Sequence, residues 1–145
     1  MKKDSNESNF ERALFQGGCL CGAVKFEIFG PMRHIINCHC GQCLRTHGHY
    51  AAYSSVEISK LHFIRDKRLK WFRSSEKAKR GFCRECGASL FYQKIGEKHI
   101  SIAAGMLNST YGLKTICHIF MNDKPDYYIV EDELPKYKKY HKKVL

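Results

Sequence analysis

Seven of the eight cysteines fall into three tight clusters, and this constrains the chain more than any other feature. The first cluster is Cys19-Leu20-Cys21, the second Cys38-His39-Cys40-Gly41-Gln42-Cys43 and the third Cys83-Arg84-Glu85-Cys86; Cys117 stands apart. The opening run Met1-Lys2-Lys3-Asp4-Ser5-Asn6-Glu7 is polar and lacks the apolar stretch of a secretory signal. No apolar run approaches the length of a membrane span. The expectation is a cytoplasmic chain with no membrane partner. In a reducing compartment clustered thiols hold metal rather than form disulfides.

Zinc takes four ligands in a tetrahedron, and a Cys-x-x-Cys turn followed by glycine supplies two of them. Cys83 and Cys86, followed by Gly87, have this form. Cys19 and Cys21 can supply the other two, which makes a closed, structural four-thiolate site. Cys38, Cys40 and Cys43 are an odd set of three. Three protein ligands with one open position is the pattern of a catalytic zinc. Two alternatives stay open at this level. Cys117 or His39 could fill the fourth position and close the site. Cys38, Cys40 and Cys43 with Cys117 could instead hold an iron–sulfur cluster, although the spacing does not match the common ferredoxin runs.

The hydrophobic periodicity is mostly two. Val24, Phe26 and Ile28 alternate with Lys25 and Glu27, and short β-rich runs recur at 34–37, 50–58, 61–64, 69–72, 89–92, 99–103, 116–121 and 127–130. Ile95-Gly96-Glu97-Lys98 reads as a hairpin turn between two of them. The one helix the pattern supports is short, over 41–47. The expectation is an all-β, mainly antiparallel fold of several short strands whose loops are stapled by zinc. Residues 1–14 read as a polar lead-in, 15–137 as a single zinc-binding domain and 138–145 as a basic tail.

The formal net charge is +11, from 25 Lys+Arg against 14 Asp+Glu, which favours anionic partners. Arg65-Asp66-Lys67-Arg68-Leu69-Lys70-Trp71 and the C-terminal end interleave basic and aromatic residues as nucleic-acid binders do. No helix is available to enter a groove, so a small anionic substrate is the preferred partner. The competing reading is a non-enzymatic zinc β module that binds an anionic polymer or a protein.

Three segments carry a family resemblance: Gly18-Cys19-Leu20-Cys21-Gly22-Ala23-Val24, Cys38-His39-Cys40-Gly41-Gln42-Cys43 with Gly48, and Phe82-Cys83-Arg84-Glu85-Cys86-Gly87. His118-Ile119-Phe120 and Asp132-Glu133-Leu134-Pro135-Lys136-Tyr137 add to it. Together they resemble the glutathione-dependent formaldehyde-activating enzyme family, which shares its domain with centromere protein V. Leu44, Asn108, Thr115 and Tyr127 depart from the family pattern, and none of them is a thiol. The resemblance implies a β-tent fold and two zinc sites. One is structural, on Cys19, Cys21, Cys83 and Cys86; the other is catalytic in type, on Cys38, Cys40 and Cys43. It also implies carbon–sulfur lyase chemistry on a small thiol and an aldehyde, with glutathione as co-substrate and S-hydroxymethylglutathione as the adduct. An anionic tripeptide needs cationic clamps, and Arg45, Arg80 and Arg84 lie beside the clusters. His39, His47 and His49 are candidates for proton handling, and His118 for a structural role.

The purified chain should therefore carry up to two zinc ions, one held more firmly. Native mass spectrometry after mild chelation should show a one-zinc species before the metal-free one. Stoichiometric iron with a strong visible charge-transfer band would replace this reading with a cluster.

Overall fold

In a computed structural model the described residues, 12–140, form ten strands and one α-helix. In chain order the strands are β1 (Phe15–Gly18), β2 (Lys25–Ile28), β3 (Ile35–Cys38), β4 (Ala51–Glu57), β5 (Leu61–Arg65), β6 (Leu69–Arg73), β7 (Ala78–Cys83), β8 (Ser89–Lys94), β9 (His99–Ala103) and β10 (Thr115–Ile119). Helix α1 (Gly41–His47) joins β3 to β4. A three-stranded sheet has the order β1-β2-β5, and a seven-stranded sheet has the order β10-β3-β4-β9-β8-β7-β6. All neighbouring pairs are antiparallel except β10 and β3, which run parallel. The expected mainly antiparallel all-β class is the one observed.

The period-two pattern gives the large sheet two different faces. Val56, Phe91, Ile100 and Ile102 point to the small sheet and meet Val24, Phe26 and Ile28 in the main core. Phe91 is its hub. The Phe26 ring packs edge-on at 5.4 Å, Phe63 edge-on at 5.6 Å and Trp71 stacks at 6.0 Å. Cys19 and Cys83 belong to this same core, so the first and third cysteine clusters meet where the two sheets join. On the opposite face, Tyr53 and Ser55 of β4, Ser101 of β9, Tyr92 and Lys94 of β8 and Arg80 of β7 line a cavity.

Helix α1 covers the residues expected of it. Cys40 is its N-cap, accepting from the Cys43 backbone N–H at 3.4 Å. Gly48, at φ 78°, ends it, and its N–H bonds to the Leu44 carbonyl at 2.8 Å. A left-handed residue at this position favours glycine.

Three segments differ from the sequence reading. β1, which carries Gly17 and Gly18, is not among the runs expected as strands. In the fold Gly17 is needed for a close approach: a Cβ there would lie 2.5 Å from the Met106 carbonyl oxygen and 2.6 Å from the Phe26 ring. β7 lacks an apolar alternation because its cavity-facing residue is Arg80, only 7% exposed. Residues 127–130 are not a strand; Tyr127 and Ile129 are exposed and the segment is held instead by the Tyr128 hydroxyl.

The chain end described here packs back on β10. Tyr137 N–H bonds to the His118 carbonyl at 2.9 Å, and the Lys138 and Lys139 carbonyls accept from Asn122 and Phe120 at 3.2 and 3.1 Å. Residues 1–11 of the expected lead-in and 141–145 of the expected basic tail lie outside the described residues.

Gly17→Ala should destabilise the fold by about 1–3 kcal/mol, the usual cost of overpacking a core. Gly105→Ala, with nothing within 4 Å of its added Cβ, should stay within about 0.5 kcal/mol of the parent. Urea unfolding of both variants checks this, and equal losses would contradict the close approach at Gly17.

Candidate metal centre and adjoining cavity

The sulfurs of Cys19, Cys21, Cys83 and Cys86 lie within 4.8 Å of one another. Cys21 Sγ is 3.6 Å from Cys19 Sγ and 3.7 Å from Cys83 Sγ. A tetrahedron with metal–sulfur bonds of about 2.3 Å has an edge of about 3.8 Å, so these spacings fit zinc. Gly22 and Gly87, at φ 79° and 77°, make the turns that bring each pair of sulfurs together. The Val24 backbone N–H donates to Cys19 Sγ at 3.2 Å.

The sulfurs of Cys38, Cys40 and Cys43 form a second group, also within 4.8 Å of one another. They come from the end of β3, the N-cap of α1 and the first turn of α1. The Cys40 thiol is pushed down to about 2 by hydrogen bonds from the Cys38 and Cys43 thiols and from the Cys43 and Gln42 backbone. Cys38 is pushed up by the same pairing with Cys40 and Cys43 and by burial. Three thiols packed this closely cannot all ionise without a cation among them, and their donor set suits a divalent thiophilic metal.

Among the described residues no fourth cysteine, histidine or carboxylate joins this group. Cys117 is buried on β10 and lies outside it. His39 turns to the other side of the strand, fully buried, and both its ring nitrogens are engaged. The Asp132 carboxylate only accepts, which sets the direction of a hydrogen-bond chain. His118 Nε2–H donates to Asp132 Oδ2 at 2.8 Å, His39 Nε2–H donates to His118 Nδ1 at 2.9 Å, and the Tyr128 hydroxyl donates to His39 Nδ1 at 2.6 Å.

The three-thiol group opens onto a cavity of about 750 Å³, within the range of small-molecule sites. Arg80 forms one wall. Its Nη2 lies 3.7 Å from Cys43 Sγ and 3.5 Å from Gln42 Oε1, its Nη1 lies 3.4 Å from the Tyr53 hydroxyl, and the guanidinium sits over the Tyr92 ring at 4.9 Å. Burial works against the Arg80 charge, but the Cys43 sulfur and Tyr53 hydroxyl beside it more than offset this and its pKa rises. Burial pushes the Tyr53 hydroxyl up, so it keeps its proton at neutral pH.

Of the three arginines singled out from sequence, only Arg80 lines the cavity. Arg45 is exposed on α1. Arg84 is exposed beside the four-thiol group, 3.9 Å from Glu85, which also pairs with Arg68 at 3.3 Å. His47 bonds to the Tyr53 hydroxyl at 2.7 Å and His49 to the Tyr127 hydroxyl at 2.5 Å; neither lines the cavity. Sequence reasoning missed Arg33, Tyr53, Tyr92 and Lys94. Counting in twos along each strand finds the partners on that strand, but which strands adjoin is a matter of sheet order.

A family model described as glutathione-dependent formaldehyde-activating enzyme matches residues 14–123. A Schizosaccharomyces pombe protein described as an uncharacterized lyase is 25% identical over 116 residues, covering 79% of this chain and 83% of that protein. A crystal structure of a Rhodobacter sphaeroides protein superposes with a TM-score of 0.53 at 26% identity, covering 67% of this chain and 91% of that one.

Burial and the neighbouring His118 hold His39 down to about 4 from an ordinary 6.5. Between these values the unfolded chain binds a proton that the folded chain does not. Stability from this source is complete above the ordinary value and falls as pH drops toward the lower one, by about 3 kcal/mol at most. Urea unfolding from about pH 7 down to about pH 4.5 should show a shallower acid loss in His39→Gln than in the parent. Metal loss in acid is common to both proteins, so identical slopes would count against a neutral His39.

Proposed function

The chain belongs to the glutathione-dependent formaldehyde-activating enzyme family, and from that membership we propose that it is a zinc-dependent carbon–sulfur lyase acting on the adduct of glutathione, or a similar small thiol, with an aldehyde such as formaldehyde. The observation that carries this reading is the group of three converging thiols, with no fourth protein ligand among the described residues, open to a cavity. In this reading Cys19, Cys21, Cys83 and Cys86 hold a structural zinc, and Cys38, Cys40 and Cys43 hold the catalytic one. Zinc bound there would supply activation of a substrate thiol as its thiolate and polarisation of a carbonyl oxygen.

The chain's own residues have distinct parts. Three thiolates around a divalent ion leave one net negative charge, and the Arg80 guanidinium beside Cys43 brings the site to neutrality. Arg80 and the protonated Tyr53 hydroxyl present donors on the cavity wall where a carbonyl oxygen would gain charge. The thiol gives up its proton, its sulfur lone pair forms the bond to the carbonyl carbon, and the carbonyl π pair moves to oxygen, which takes up a proton to give the S-hydroxymethyl adduct. The reverse step returns aldehyde and thiol. The cations assigned to the substrate's carboxylates are those of the cavity wall. Arg45 and Arg84, exposed outside it, are not given that role.

Exchange NMR with glutathione and formaldehyde tests the reading. The protein should speed S-hydroxymethylglutathione formation above the spontaneous rate, Cys40→Ser should abolish the gain, and Arg80→Gln should lower it about 10²-fold, as for loss of a donor to a developing oxyanion. S-methylglutathione, whose sulfur cannot become a thiolate, should bind more weakly than glutathione. No rate gain, with no glutathione-dependent shift in the Cys38–Cys43 amide signals and with salt-dependent binding of RNA or DNA, would turn the assignment to the non-enzymatic module.

A further inference from the structure

We propose that Arg33 is the carboxylate-recognition residue at the far end of the cavity, and that the group it takes is the α-amino-acid end of a peptide thiol. The inference rests on the lyase reading and deepens it by naming which end of the thiol lies where.

Arg33 enters the cavity wall from just ahead of β3. Its backbone is pinned to β4 from both sides: its N–H bonds to the Ser55 carbonyl at 2.9 Å and its carbonyl accepts from the Ser54 hydroxyl. The side chain is half-buried and underused. Nη1 donates to the His34 carbonyl at 2.8 Å, and Nε is buried with no acceptor among the described residues. Among the described residues no carboxylate forms an ion pair with it. Burial pulls its pKa down, opposed only by the Cys117 thiol and the Tyr140 hydroxyl. A cation withdrawn from water without a counter-ion is costly, and a ligand carboxylate would remove that cost through a charge-assisted contact.

The same end of the cavity carries the complementary sign. Glu97 and Arg33 both act on the Tyr140 hydroxyl there, and Glu97 lies 4.0 Å from Lys94. An arginine without an ion pair among the described residues, with one carboxylate on the same stretch of wall, suits a group that bears both a carboxylate and an ammonium. Distance favours the thiol's end over the aldehyde's. Arg33 precedes Cys38 by five positions, about 16 Å of extended chain before the arginine side chain reaches back. A γ-glutamyl α-carboxylate stands roughly 10 Å from the cysteine sulfur of an extended peptide thiol. Formaldehyde adds one carbon at the sulfur and reaches nothing at that range.

NMR and calorimetric titrations of the zinc-loaded protein test this with two thiols, glutathione and cysteinylglycine, which lacks the γ-glutamyl end. Arg33→Gln should weaken glutathione about 10–100-fold, the cost of losing a hydrogen bond to a charged group, while leaving cysteinylglycine and zinc content unchanged. Arg33→Lys, which keeps the charge, should recover part of the loss. Should Arg33→Gln fail to fold, the parent alone decides: glutathione must move the Ser55 and Tyr140 amide signals and cysteinylglycine must not. Glutathione that binds the parent and Arg33→Gln equally overturns the inference and leaves the lyase reading standing. An equal loss for both thiols also overturns it, because Arg33 would then be serving the shared half of the ligand or the fold. Failure of the parent to bind either thiol overturns both readings.

Discussion

The meeting of the Cys19–Cys21 turn with the Cys83–Cys86 turn is the contact on which the rest of the structure depends. It joins the end of β1, in the small sheet, to the end of β7, in the large one, across 62 residues of chain for the Cys21–Cys83 pair. Strands of four to seven residues bury little on their own. Closing so long a loop costs conformational entropy that such strands offset poorly. Four sulfurs at tetrahedral spacing let a metal supply that deficit, since structural zinc binding carries on the order of 10–16 kcal/mol. The four thiols are continuous with the apolar core through Cys19 and Cys83, so a metal bound there and core packing would hold the same junction.

With the sheets held there, the large sheet can afford two unlike faces. One is an aromatic core centred on Phe91. The other is cut into a cavity that carries tyrosines, serines and cations. Arg80 shows how the two needs are met in one strand. Its neighbours Gly81 and Cys83 are buried in the sheet, while its guanidinium is spent on the Cys43 sulfur, the Tyr53 hydroxyl and the Tyr92 ring. A buried arginine with no carboxylate partner among the described residues is unusual for a structural role. Beside a cluster of thiolates it has a counter-charge ready.

The histidines divide by geometry in a way their spacing does not reveal. His39 stands between two cysteines of the open group, yet strand alternation turns it away from them. It serves a hydrogen-bond chain from Tyr128 to Asp132, buried at its two histidines, that ties the closing segment to β10. That chain replaces the strand expected at 127–130, where side-chain hydrogen bonds rather than a backbone ladder fix the chain.

The sequence by itself determined the division of seven cysteines into four and three, because tetrahedral valence and Cys-x-x-Cys geometry are local rules. It also determined the all-β class and the short helix after Cys40, which follow from side-chain alternation and a cap-to-glycine span. Only the tertiary structure decided which cations face the open thiols. Arg45 and Arg84 stand beside cysteine clusters in sequence but lie outside the cavity, whereas Arg80 of β7, Lys94 of β8 and Arg33 just ahead of β3 line it. Proximity along the chain measures contact only within a turn or strand. Across a sheet it is set by strand order and register, here β3-β4-β9-β8-β7, and those are properties of the packed whole.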